Sequence, residues 1–468
     1  MLSYNMENCD GLPKYIYLYQ CIRDDIISGK IKCAERLPSK RTLAHHLNVG
    51  IITVANAYDL LITEGYLVSR ERKGYFVQEM PHEPVRNTRV VTSLEVKSPV
   101  DAERKPFADF RANRISMKLF PAATWNQLMR KTIRQGSELY ETVPYNGLYR
   151  LRYAIADYLR SSRGMQVDPS QVIIGAGTEY LYNRLTQLFG HSTVFGFEDP
   201  GYKKLASISS AFGNLSRFIP IDHNGLRVDA LEESDVDVVH VSPANHFPTG
   251  IVMPIMRRSE LLEWAYRASK RYIIEDDYDS EFRYQGKYIS PLYAEDFRDR
   301  VIYMNTFSKT MVPSLRISYM VLPPKLLQRY RESMSFYSCT VSSFEQYTLA
   351  QFISEGYFER HINRIKTYYR KLRMQVLHAF ANSGLGRISE IIEHNAGTHF
   401  LLRVHTALTE NEIRQIGAKS DMQLLFYSDY AHTLPAENRC LLVINYAAIE
   451  PEEISEIVAR LEKIFPEC

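Results

Sequence analysis

The chain has 468 residues, 45% of them hydrophobic and 24% charged, with a formal net charge of +3. That composition excludes a disordered chain and leaves room for two to four domains at roughly 100–200 residues each. A net charge of +3 over this length makes no polyanion-binding surface as a whole, so any nucleic-acid site has to be a local patch. No apolar run long enough for a membrane span occurs, and MLSYNMENCD has neither a basic n-region nor an apolar h-region. Six scattered cysteines, without CxxC or zinc spacing, fit reduced thiols in a cytoplasm and predict no metal site.

Residues 13–78 read as one small unit. Ile16, Tyr19, Ile22 and Ile26 recur at helical spacing and predict an apolar helix face. In LPSKRTLAHHL, Ser39 is the expected N-cap of a second helix, with Leu43 and Leu47 on its buried edge. A break at 48–50 precedes ITVANAYDLLITEG, a third helix presenting Val54, Ala57 and Leu61 and closed by Gly65. Two short helices around a tight turn form a helix-turn-helix, and YLVSRERKGYFVQ reads as two strands around a basic turn, a wing. From Lys30 to Gly74 eight basic residues face four acidic ones, a local excess of four that exceeds the whole chain's net charge. A recognition helix sets its N-terminal residues in the major groove while basic side chains hold phosphates, so duplex DNA is the expected partner.

The string LPSKRTLAHHLNVGIITVANAYDLLITEGYL resembles the winged helix of the GntR family of bacterial regulators. The resemblance implies DNA contacts from Ser39, Lys40, Arg41 and Thr53, with the wing residues Arg70, Arg72 and Lys73 as further cations. One departure stands out: where the family usually has Ser-Arg after the turn valine, this chain has Gly50-Ile51, then Ile52. Either the operator is read differently, or binding leans on the wing.

Residues 79–106 hold four prolines among charged and hydroxyl residues and read as a partly extended linker spanning roughly 30 Å. Residues 107–468 form the main body. Apolar, β-branched or aromatic runs recur at 171–177, 193–200, 237–243, 272–278, 301–309 and 317–323, between helical stretches. Strands alternating with helices predict an α/β body with a mostly parallel sheet, whose chemistry belongs at the strands' C-terminal ends. Lys309 ends one such run, where burial can lower its pKa and leave an amine able to condense with a carbonyl. Thr306, Ser308 and Arg316 beside it suit a phosphate dianion. Asp276 and Tyr278 end another run: a carboxylate that keeps a pyridine nitrogen protonated and a hydroxyl for the ring's oxygen. Gly177 and Thr178 open a helix whose N–H groups attract phosphate, and the ring of Tyr202 can stack on a planar cofactor.

In combination, EDPGY, SPANHFPTG, IIEDDYDSEFRY and NTFSKT resemble the fold-type I aminotransferases, which bind pyridoxal 5′-phosphate (PLP). With the GntR-like head, the chain resembles the MocR/GabR subfamily over nearly its whole length. The resemblance implies Lys309 as the covalent tether, Asp276 at the pyridine nitrogen, Tyr278 at the ring oxygen and Tyr202 stacked on the ring. It implies Gly177, Thr178, Thr306, Ser308 and Arg316 around the phosphate, and Asn245 among the polar contacts near the ring. It also implies a head-to-tail, domain-swapped homodimer sensing a small amino compound or PLP itself. Glu179 stands where Gln is frequent, so its carboxylate is expected to turn away from the phosphate. Lys204 stands where GABA-responsive relatives carry an Arg, and Val443 where aminotransferases tend to have a carboxylate-binding Arg. His399, Arg403 and Arg439 are the substitutes for that role. The alternative is a working aminotransferase with a DNA-binding tether.

Overall fold

In the computed structural model Leu18, Tyr19, Ile22 and Ile26 form the buried face of α1 (Lys14–Ile27). The structure describes residues 2–7, 9, 11–79, 106–111, 116–134, 136–284, 289–433 and 440–465. Leu18 takes the inner position that helical spacing gave to Ile16, which is only half-buried. After the two-residue strand β1 (Arg36–Leu37), α2 (Lys40–His46) is capped by Ser39, whose Oγ accepts from the Thr42 amide at 3.1 Å. Asn48, at φ 52°, turns the chain into α3 (Ile51–Thr63), whose Val54, Ala57, Tyr58 and Leu61 are fully buried. β2 (Leu67–Arg70) and β3 (Gly74–Val77) pair antiparallel around the basic turn, and β3 also pairs with β1. A buried leucine such as Leu61 is worth about 2–5 kcal/mol against alanine in a core this small.

The chain divides into two units, Met1–Arg104 and Lys105–Cys468. Almost all of the expected linker, residues 80–105, lies outside the described residues. In the second unit β4 (Ala108–Asp109) precedes the strands of a large sheet: β5 (Val172–Gly175), β6 (Val194–Asp199), β7 (Leu215–Asp222), β8 (Gly225–Leu226), β9 (Val238–Val241), β10 (Tyr272–Asp276), β11 (Val301–Thr306) and β12 (Ser318–Val321). Their order is β5-β12-β11-β10-β9-β6-β7-β8. The run β11-β10-β9-β6-β7 is parallel; β12 is antiparallel to both β11 and β5, and β8 to β7. β5, β6, β9, β10 and β11 therefore end at one edge of the sheet, where β12 begins. β9, β11 and β12 are buried throughout, as strands covered on both faces must be.

The C-terminal region builds a smaller antiparallel sheet, with β14 (His399–Val404) between β13 (Ser389–Ile392) and β16 (Leu441–Asn445). β15 (Met422–Gln423) pairs parallel with β4, tying residues 108–109 to this region. Helices Tyr357–Ala381 and Ile454–Ile464 pack on this part through Ile365, Val376, Ile457 and Leu461. Among the described residues, no helix is long and apolar enough to cross a membrane.

Candidate functional site

At the sheet edge where β5, β6, β10 and β11 end, a cavity of about 280 Å³ is lined by Lys309, Asp276, Tyr278, Tyr202, Thr178, Thr306, Ser308 and Arg316. These are residues that the sequence singled out, gathered from several strand ends. Lys309 follows β11, and its Nζ lies 6.0 Å from the centre of the Tyr278 ring. Burial pulls its amine below the usual lysine value, and the charge of Asp279 opposes that shift. Asp276 ends β10, and its Oδ2 is 3.5 Å from Nε2 of His240 on the neighbouring β9. Its Oδ1 is buried and has no hydrogen-bond partner among the described residues. A protonated pyridine nitrogen is the donor that such an oxygen lacks. The Tyr278 hydroxyl donates to the Asn245 carbonyl at 3.1 Å, and burial raises its pKa well above the ordinary value.

A cradle for a dianion lies at one end of the cavity. Gly177, at φ +99°, precedes the helix Thr178–Phe189. A Cβ there would fall 2.9 Å from Cζ of Arg316, so the guanidinium lies directly against this glycine. Arg316 itself adopts φ 51°. The Ser308 amide donates to Thr306 Oγ1 at 3.2 Å, and Ser318 Oγ donates to the same atom at 2.8 Å. First-turn amides, hydroxyls and one guanidinium thus converge where a phosphate requires them. Cavity size, cradle and orphaned carboxylate oxygen together fit pyridoxal phosphate.

Glu179 lines the cavity, and its Oε1 is 2.6 Å from Nζ of Lys204, so these two partly exposed groups hold each other. Several candidates sit elsewhere. His399 is buried, with Nε2 donating to the Pro248 carbonyl at 3.0 Å, and burial drives its pKa down to about 4. Arg403 pairs with Glu390 at 2.6 Å between β14 and β13. Neither residue lines the cavity. Arg439 lies outside the described residues. Asn245 reaches away from the lining, and its Nδ2 donates to Oδ2 of Asp279 at 2.7 Å.

Three participants escaped sequence reasoning. Asp279 is almost fully buried; burial pushes its carboxyl up, while Lys309 and the Asn245 amide pull it back. Its only signal was one more acid after an apolar strand. His240 stood out only as the polar residue in VVHV. Arg111, just after β4, lines the cavity with its Nε 3.6 Å from Asp109. With Lys309 and Arg316 it makes up the arginine and lysine lining of the cavity among the described residues.

In the other unit Arg41 is exposed at the start of α2, and Arg70, Arg72 and Lys73 are exposed around the wing turn. Lys40 is held by Asp59 at 2.9 Å, and Thr53 is half-buried in the first turn of α3.

A winged helix-turn-helix unit and a mixed, mostly parallel sheet with this cavity at its strand ends define a DNA-binding head joined to an aminotransferase-type body. Residues 14–77 match the bacterial regulatory proteins of the gntR family, and residues 111–461 match aminotransferase class I and II. The chain is 37% identical to the uncharacterized HTH-type transcriptional regulator YdeL of Bacillus subtilis, over 96% of each chain. It is 31% identical to the probable rhizopine catabolism regulatory protein MocR of Rhizobium meliloti, over 97% of this chain and 94% of that one. Among solved structures an archaeal alanine:glyoxylate aminotransferase superposes with a TM-score of 0.70 at 23% identity, over 79% of this chain and 93% of its own. A Pyrococcus horikoshii kynurenine aminotransferase in complex with PMP gives 0.67 at 22%, over 80% and 94%. The chain belongs to the MocR/GabR subfamily of GntR-type transcriptional regulators, in which a winged helix precedes an aminotransferase-like domain.

Proposed function

We propose that this chain is a PLP-dependent regulator: residues 13–78 bind operator DNA, residues 79–106 tether them, and residues 107–468 hold PLP and sense a small amino compound or PLP itself. The observation that carries this reading is the shared cavity, in which a buried amine at Lys309, an orphaned oxygen on Asp276 and the Arg316 guanidinium against Gly177 surround one space. PLP, when bound, supplies an electron sink. Lys309 would be its covalent attachment, and Asp276, backed by His240, would keep the ring nitrogen protonated. Tyr278, whose hydroxyl donates to the Asn245 carbonyl, would meet the ring oxygen, and Tyr202 would stack on the ring. Gly177, Thr178, Thr306, Ser308 and Arg316 hold the phosphate.

Lys204 does not line the cavity and is held by Glu179 at 2.6 Å; among the described residues Arg111, more loosely paired with Asp109 at 3.6 Å, is the lining cation that would meet an effector's anionic group. An effector shifts the protein only by binding two arrangements with different affinity. The protein acts as a cytoplasmic, domain-swapped homodimer reading paired half-sites; exposed rings at Tyr140, Tyr149 and Tyr153 offer an apolar face to a second copy. Borohydride reduction after PLP addition, followed by peptide mass mapping, tests the cofactor: the pyridoxyl mass belongs on Lys309, and its absence there ends the reading. Arg41→Ala should weaken binding to promoter fragments in gel shift and leave the visible absorption intact. The complete set Lys309, Asp276, Tyr278 and Arg316 also favours a second reading, a working aminotransferase; many turnovers per site with amino donors and keto acids would establish it.

A further inference from the structure

The first turn of α3 is unusual for a DNA-facing element. Ile51 is 52% exposed and Ile52 76% exposed, while Val54, Ala57, Tyr58 and Leu61 of the same helix are fully buried. Two β-branched apolar side chains therefore stand in solvent at the N-terminal end of the helix that follows the turn. They are not needed for the core of this unit. The first turn of α3 carries no acid, and Gly50 before it adds no side chain. Exposed Arg41, on the adjoining helix, and exposed Arg70, Arg72 and Lys73, on the wing, add cations to the same small unit. An apolar tip within a basic unit suits a partner that is polyanionic but bears apolar points at fixed depth. The major groove of B-DNA is such a surface: its walls are phosphates, and each thymine projects a C5-methyl group from its floor.

Resting on the DNA-binding reading above, we infer that Ile51 and Ile52 read thymine methyl groups in the major groove, so that operator specificity at the facing positions comes from apolar contact. An arginine at this place would instead seek the guanine O6 and N7 acceptors. Half-sites bound by this chain are accordingly A·T pairs where α3 enters, with the thymine methyl turned toward the helix. Arg41 and the wing cations supply the sequence-independent part of the affinity through phosphates.

The test uses the full-length protein. Duplexes are selected from a random pool, and the winning duplex is remade with deoxyuridine at one thymidine position at a time, which deletes only the methyl. The expected result is a loss of about four-fold in affinity for each methyl read, at one or two thymines per half-site. Ile51→Ala and Ile52→Ala each bind the thymidine and uridine duplexes alike at the position that residue reads. Both substitutions sit on exposed side chains, so circular dichroism and PLP absorbance should match the wild type. Arg41→Ala lowers binding to both duplexes equally. If the wild type binds the uridine duplexes as well as the thymidine one, the inference is overturned, and the same holds if both isoleucine variants keep the preference. A change of oligomeric state in Ile52→Ala with an unaltered thymidine-to-uridine ratio overturns it too, in favour of a protein partner. Failure to select any duplex overturns the DNA-binding reading itself.

Discussion

Nζ of Lys204 lies 2.6 Å from Oε1 of Glu179, setting a cation from the rim against an acid in the first turn of the helix Thr178–Phe189. The acid begins the helix at the phosphate cradle, and the lysine lies just after Tyr202 at the rim. Both side chains are about half exposed, so the pair adds at most about 1 kcal/mol to stability. Its importance is electrostatic, since an acid at this point opposes a bound dianion. Glu179→Gln is expected to tighten PLP binding about two- to five-fold at low salt, the gain shrinking as salt rises. Titration of stripped protein, followed by visible absorbance, measures it; an affinity that falls at every salt concentration would reject the account.

Gly177 is the second test point. Its φ of +99° and the Arg316 guanidinium against it leave no space for a methyl group. Gly177→Ala should displace the guanidinium and weaken PLP at least about ten-fold, from left-handed strain of about 1–2 kcal/mol plus the lost contact. Binding of DNA by the stripped protein should be unaffected. An alanine variant with wild-type PLP affinity would show that Arg316 is not part of the phosphate site.

Asp279 should set the reactivity of Lys309. Burial lowers the amine's pKa and the Asp279 charge raises it, so Asp279→Asn removes the opposing influence. The pH at which PLP attaches at half its maximal rate should move downward in the variant. Stopped-flow absorbance across a pH series reads this directly. An upward shift, or none, would exclude the carboxylate as the amine's electrostatic partner.

His399 makes a prediction about stability. Burial holds it neutral in the fold, with its pKa lowered from 6.5 to about 4. The unfolded chain takes up a proton below pH 6.5, so the unfolded state binds more protons between those values. Stability from this group is complete above pH 6.5 and is lost as pH falls toward about 4, by up to about 3 kcal/mol. His399→Gln should flatten that part of the curve in urea unfolding relative to wild type. Parallel curves for the two proteins would mean that His399 is not buried and neutral.

The strands of the large sheet that position the cavity were legible because buried parallel strands are written as apolar runs, and Lys309, Asp276 and Tyr202 follow such runs directly. β7 and β8 were not, because Leu215–Asp222 lies near the sheet's other end with mixed exposure and little apolar continuity. β12 was legible as a strand, yet its antiparallel direction was not: direction depends on how the chain returns, which no local pattern encodes. Ser39 could be read as a cap because an N-cap is a local device. Asp279 as the charge beside Lys309 and Arg111 as a cavity-lining group could not be read, since both relations arise only when distant segments meet. For the same reason His399 and Arg403 looked available as anion binders, while the fold commits one to the Pro248 carbonyl and the other to Glu390.

The dianion cradle draws on Gly177 after β5, Thr306 at the end of β11 and Arg316 before β12. These strands are neighbours in space but far apart along the chain. β5 lies at the sheet's margin and pairs with β12 alone among the described strands. During synthesis it must wait for residues 318–321 to leave the ribosome before it has a neighbour. The residues of the winged helix, up to Val77, have emerged long before then. A nascent or prematurely terminated chain ending before Arg316 therefore carries every residue of the winged helix and lacks both the guanidinium of the cavity and the strand that pairs with β5.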